Sequence, residues 1–175
     1  GLAQIVDVAG APRGSLYFHF PGGKEELAAA ALERASERQR DNLRIALSHD
    51  DPAVALDAVV EVLAGDLEAS SFQDGCPVAT VALEVGGDGG ALSTLCRLSF
   101  DRWRALIVDR LRAVGVDDAR ADDVAWFVFS SLEGAQMMCR VQGSAAPLRA
   151  VGRQLSAVLR VSLLSDSVEV AHQST

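Results

Sequence analysis

The sequence predicts an all-α protein, with an N-terminal helix-turn-helix head followed by a C-terminal helical bundle. Three observations lead there. Apolar residues recur three and four apart through long windows, as one face of a helix requires. Ala and Leu abound, while aromatic residues make up 5% of the chain, and β-branched residues seldom alternate with polar ones. Between the windows stand short clusters rich in Gly, Pro and Asp, which end one helix and start the next.

The first window is Leu2, Ile5, Val6 and Ala9, an inward face on a short helix. Gly10 follows, where a helix end favours a residue that tolerates positive φ. Pro12 suits the first turn of a second helix, because its missing N–H is not needed there. That second helix is expected over Arg13 to Phe18, with Leu16 inward and Arg13, Gly14, Ser15 and Tyr17 left free. Two short helices joined by a tight turn form the plan that places a helix in a DNA groove.

The run Ala9-Gly10, Arg13-Gly14-Ser15-Leu16-Tyr17, His19-Phe20 and Lys24-Glu25-Glu26-Leu27 resembles the signature of TetR-like transcriptional regulators. The Pro21-Gly22-Gly23-Lys24 linker and the Gly75-Cys76-Pro77-Val78-Ala79 segment resemble the LmrA/YxaF-like branch of that family. The signature covers roughly residues 2–35. The resemblance implies a DNA-binding head and a variable helical body that binds a ligand and forms a homodimer. It also implies a long helix before the segment that opens here, absent from this chain, which would pack on Leu2, Ile5, Leu16 and Phe20. The expected domains are 1–35 for the head and 36–175 for the ligand-binding and dimerisation body.

From Lys24 to about His49 one long helix is expected, with Leu27, Ala31, Ala35, Leu43 and Leu47 as its stripe. It would link head to body. Asp51 is placed to cap the next helix and Pro52 to open it. Leu56, Val59, Val60, Leu63 and Leu67 then give an amphipathic helix to Ala69. Residues 70–77 read as a loop and Val78 to Val85 as a short apolar helix. The Gly86-Gly87-Asp88-Gly89-Gly90 breaker has no strand before it and no Lys after it, unlike a phosphate-cradling loop. A longer helix runs from Ala91 to Val114. Asp117 can cap the next, over about Asp118 to Val141, whose Val124 to Phe129 centre is apolar nearly all round. Pro147 opens the last helix, where Leu148, Val151, Leu155 and Val158 make a short seam. The following step lands on Ser162, and the stripe drifts to Leu159 and Leu163.

The chain is 49% hydrophobic and 23% charged, an ordinary globular composition. Its net charge of −8 opposes nucleic-acid binding when taken alone. The distribution reads differently: from Gly1 to Lys24 the one acid is Asp7, against Arg13, Lys24 and His19. Cys76, Cys96 and Cys139 are odd in number, far apart and without a CxxC, so neither a disulfide framework nor zinc is expected. Buried free thiols, or a redox-sensing Cys76, are the two readings left. No cofactor is expected. No signal peptide or membrane-length apolar run is seen, and a cytoplasmic protein is expected.

Candidate DNA contacts are Gln4, Pro12, Arg13, Gly14, Ser15, Tyr17, His19 and Lys24. The Arg13 fork matches guanine or phosphate, while Ser15, Tyr17 and His19 can donate to phosphate. Lys24 opposes the macrodipole of the helix it opens, yet an ammonium beside a helix N-terminus makes a phosphate seat. Each also has a plainer reading: Tyr17 packs, Arg13 pairs with Asp7, Lys24 is solvated. Phe100, Trp103, Trp126, Phe129 and Met137 are either core or the wall of a pocket for a hydrophobic or aromatic ligand, with Glu133 and Gln136 to orient it. Phe127, Gly134, Met138, Leu148, Val151, Leu155, Val158 and Leu159 are expected to pair two copies through a four-helix interface, or else to pack inside one copy. His19, His49 and His172 are scattered, and neither GxSxG nor HExxH occurs, so an enzyme is not expected. The functional expectation is a ligand-responsive regulator, most simply a repressor released from a palindromic operator. The rival is a dimeric small-molecule-binding or interaction protein with a non-functional head; Pro12, where the family more often has a capping Ser or Thr, and the acidic balance favour it.

Overall fold

The computed structural model describes residues 2–12, 14–87 and 89–173, with side chains of the last helix described to residue 160. It is all-helical over the described residues. The helices are α1 (Leu2–Val8), α2 (Ser15–His19), α3 (Lys24–Ala46), α4 (Pro52–Ala69), α5 (Pro77–Val85), α6 (Ala91–Ala113), α7 (Asp118–Gln142) and α8 (Ala146–Gln173). Arg13, Asp88 and the Ser162 and Leu163 side chains lie outside the described residues.

Local chemistry sets most boundaries. The Asp51 carboxylate accepts from the Ala53 and Val54 N–H groups at 2.7 and 3.3 Å, with Pro52 in the first turn of α4. Asp117 accepts from the Arg120 N–H at 3.1 Å and starts α7. Such caps satisfy donors that the helix itself leaves free. Gly143 ends α7 at φ 60°, a conformation that penalises a Cβ. In the head, Gly10 turns at φ 63° after α1.

The start of α2 differs from the sequence expectation. The Ser15 N–H and hydroxyl both donate to the Pro12 carbonyl, at 2.9 and 2.7 Å. That closes a separate turn, so the helix begins at Ser15 and Pro12 precedes it.

One core joins α3 to α8. Leu32, Leu43, Leu56, Val60, Leu63, Trp103, Val128, Leu132, Leu148, Leu155 and Leu159 are buried in it together. Leu148, Leu155 and Leu159, expected on an interface between copies, therefore point into their own protomer. Helix α8 is packed against both α4 and α7, and its apolar stripe is consumed there. Gly152 makes the α8–α4 approach possible, since a Cβ there would stand 2.6 Å from Val60 Cγ2. In the head, Val6 and Leu16 are buried, but Ile5 is 54% exposed. Ile5, Ala9, Leu16, Phe20 and Leu27 border an apolar cleft of about 210 Å³, on the face where the resemblance sets a preceding helix.

Overpacking a close helix contact costs about 1–3 kcal/mol. Gly152→Leu is expected to lower stability by about that much, read as a lower urea midpoint, whereas Gly65→Leu, exposed on α4 with open space where its Cβ would stand, is expected to leave it within about 1 kcal/mol.

Candidate functional site

A cavity of about 370 Å³ opens among α3, α4, α6, α7 and the loop before α5. Its wall is mostly apolar, with Leu43, Leu56, Val59, Leu63, Trp103, Ile107, Val128, Phe129 and Leu132. Arg110, Cys76, Glu133 and Gln136 add polar groups, and Arg38, Asp66 and Asp74 stand exposed at its edge. Cavities of a few hundred Å³ with few polar groups suit small organic molecules.

Trp103 anchors this wall. It is 1% exposed, and its indole N–H donates to the Ser36 carbonyl of α3 at 3.1 Å. Its ring meets Phe100 and Phe129 edge-on, with centroids 5.8 and 6.5 Å apart, and Phe100 meets Phe129 at 5.4 Å. Phe100 thus backs the wall without lining the cavity.

Glu133 and Cys76 form the polar end. The Cys76 thiol donates to the Glu133 carboxylate and accepts from the Ala79 N–H at 3.4 Å, capping α5. Burial pushes the Glu133 carboxyl up to about 7, with the thiol's hydrogen bond pulling the other way. Burial, and then the nearby Glu133 charge, raise the Cys76 thiol well above its ordinary value. Thiolates, not thiols, are the reactive species, so this cysteine is held inert. Gln136, one helical turn on, is 7% exposed and lines the cavity as well.

The remaining sequence expectations sort by burial. Trp126 is 46% exposed and carries Arg104 over its ring at 4.8 Å, and Met137 is 58% exposed. Neither lines the cavity: they stand beside Glu133 at the edge of the α7 face that carries Phe129, Glu133 and Gln136, where the neighbouring helices leave them exposed. Phe127, Met138 and Val158 are 54, 44 and 50% exposed, Gly134 is exposed and Val151 half-buried. With Val141 they form an apolar face on α7 and α8. Arg110 and Cys76, absent from the sequence expectation, line the cavity; only the tertiary packing brings them there. The loop residues Gln73 and Gly75 lie under Arg140, which donates to the Gln73 carbonyl at 2.9 Å.

At the head, Tyr17 is 63% exposed, and Gln4, Gly14, His19 and Lys24 are exposed as well. Ser15 is half-buried with its hydroxyl on Pro12, and His19 and Ser15 also border the apolar cleft. Pro12 is exposed in the turn. Glu26 reaches back to accept from the Gly22 N–H at 2.7 Å, and Glu25 shares the first turn of α3 with Lys24. Lys24 is therefore flanked by two carboxylates.

Residues 52–154 match the C-terminal domain of LmrA/YxaF-like transcriptional regulators. The chain belongs to the TetR family of transcriptional regulators, in its LmrA/YxaF-like branch. An uncharacterized HTH-type transcriptional regulator, Rv0196 of Mycobacterium tuberculosis, is 33% identical over 93% of this chain and 84% of its own length. The HTH-type transcriptional regulator LmrA of Bacillus subtilis is 31% identical over 85% of this chain and 79% of its own. Among solved structures, the TetR regulatory protein from Rhodobacter sphaeroides superposes with a TM-score of 0.80 at 20% identity, covering 90% of this chain and 86% of that one. A TetR regulator from Chloroflexus aurantiacus gives 0.76 at 25% identity, covering 91% and 83%. The TetR-like fold and the branch read from the head signature and the Gly75–Ala79 segment are thereby shown.

The raised Glu133 carboxyl makes a stability statement. Folding favours the protonated acid, so its contribution is full below the unfolded value near 4.5 and is lost as pH rises through about 7. Glu133→Gln is expected to gain about 1–3 kcal/mol on the parent at pH 8 and almost nothing at pH 4, read by urea unfolding at both.

Proposed function

We propose that this TetR-family chain is a homodimeric repressor that a small molecule in the α3–α7 cavity releases from operator DNA. The reading rests above all on the Trp103 N–H to Ser36 carbonyl bond. Trp103 lines the cavity, and Ser36 lies midway along the helix whose N-terminus meets the head. A ligand that displaces the indole would tilt α3 and move the head with it. Such a ligand shifts the equilibrium only if it binds the released arrangement better than the DNA-bound one.

The proposed division into a head of residues 1–35 and a body of residues 36–175 falls within α3, which already enters the main core at Leu32. Gln4, Arg13, Gly14, Ser15, Tyr17, His19 and Lys24, with Pro12 in the turn, form the proposed DNA face. Two such heads would enter successive major grooves of a palindromic site. The apolar face of Phe127, Gly134, Met138 and Val158, extended by Met137 and Val141, is the proposed seam between copies. The protein would act in the cytoplasm, where its operator lies. No described helix is long and apolar enough to cross a membrane.

Binding to DNA from upstream of its own gene is expected to be sequence-selective and to weaken steeply with salt. By fluorescence anisotropy, Tyr17→Ala and Arg13→Ala are each expected to lose about 1–3 kcal/mol of affinity. Weak binding that ignores sequence and both substitutions would favour the small-molecule-binding protein with an idle head, to which Glu25 and Glu26 beside Lys24 lend support. Phe127→Glu with Met138→Glu is expected to convert a dimer to a monomer in sedimentation, because each carboxylate would be buried unpaired in the seam.

A further inference from the structure

The polar groups of the cavity sit at its two ends. Helices α6 and α7 run antiparallel, since Arg104 pairs with Asp122 and, further along α6, Arg112 pairs with Asp118 at 2.7 Å. Trp103 and Phe129 mark a common level. Arg110 lies about 10 Å beyond it in one direction and Glu133 about 6 Å in the other, from the rise of a helix. About 16 Å of mostly apolar wall separates them.

Glu133 is short of partners. A carboxylate offers roughly four acceptor sites. Among the described residues one side chain donates to it, the Cys76 thiol, which is a weak donor. Gln136, 7% exposed, adds an amide to the cavity lining on the same face. The other charges around the cavity are placed differently. Arg38 from α3, Asp66 from α4 and Asp74 from the loop stand exposed at its edge, where water screens them. Arg110 from α6 faces the far end, where it donates to the Asp50 carbonyl while its Nε has no hydrogen-bond partner among the described residues. Helix α8 contributes the apolar Leu159. Arg140 on α7 is spent on the Gln73 carbonyl. The environment at Glu133 is thus an acid with no cation to meet it.

We propose that the cavity takes an elongated apolar amine, with its ammonium seated between the Glu133 carboxylate and the Gln136 amide oxygen. The proposal rests on the reading of this cavity as the effector site. The Arg110 end repels an ammonium, which fixes the direction in which the molecule enters. An anionic group would be met only at the Arg110 end and would leave the Glu133 carboxylate without a counter-charge. Ion pairing with a desolvated carboxylate is strong because removing either partner leaves a buried charge unmet.

The test uses three matched probes on the full chain: anthracenylmethylamine, anthracenylmethanol and anthracene carboxylate, titrated by fluorescence. The amine is expected to bind at least about ten-fold more tightly than the alcohol, and the carboxylate more weakly than either. In Glu133→Gln the amine should lose that advantage while the alcohol is unchanged. From about pH 6 to about pH 8 the amine's affinity should rise several-fold in the parent and stay flat in the variant, because it binds the ionised acid. Equal binding of the three probes, or an amine preference that survives in Glu133→Gln, overturns the amine assignment and leaves the cavity reading standing. Failure of all three to bind overturns both.

Discussion

The Trp103 indole is the largest side chain buried almost completely, and its N–H has to find an acceptor where no water reaches. It finds the Ser36 carbonyl on α3. Burying an indole contributes a few kcal/mol through apolar area, and the hydrogen bond removes the cost of an orphaned donor. The same contact fixes the angle of α3 against α6. Phe100 and Phe129 then pack on the ring edges and carry the constraint to α7. The helix that meets the head and two helices that wall the cavity are thus held by one side chain, and the cavity cannot change shape at Trp103 without disturbing α3.

A cavity of this size is a cost to the fold, since its lining forgoes contacts that a filled core would make. Glu133 adds a second cost by placing an ionisable group in apolar surroundings. Neither helps the protein fold. Both are understandable in a protein that binds a small molecule, where a site is kept open at some expense of stability. The loop bearing Cys76 is stiffened in compensation. The thiol caps α5, Arg140 clamps the Gln73 carbonyl, and Pro77 opens the helix behind.

The head has a different economy. A helix of five residues such as α2 has no stability of its own, so Leu16 and Val6 must hold it through burial. On its outward side Tyr17 and Phe18 project with 63 and 81% exposure, Phe18 edge-on to the His19 ring. The acidic load sits on the body, which leaves the head locally less negative than the chain as a whole. Glu25 and Glu26 moderate that asymmetry at the first turn of α3.

Sequence alone determined the helices, their order and most of their ends. Asp51, Asp117, Gly10 and the Pro52 start act within a few residues of themselves, so local chemistry suffices to place them. The Ala9 to Leu27 signature fixed the family for the same reason, because a groove-facing helix fixes side chains at set offsets along one short stretch. Tertiary packing decided which apolar residues meet which neighbours. Helix α7 is apolar nearly all round, so periodicity could not say that Phe129 faces the cavity while Trp126 and Met137 stand exposed. The seam on α8 had the right spacing for a partner, but α4 and α7 took Leu148, Leu155 and Leu159 first. Cys76 and Arg110 reached the cavity from distant parts of the chain. A helical period gives one face relative to another on a single helix. The identity of the body that covers each face is a property of how the helices cross, and it exists only once they are packed.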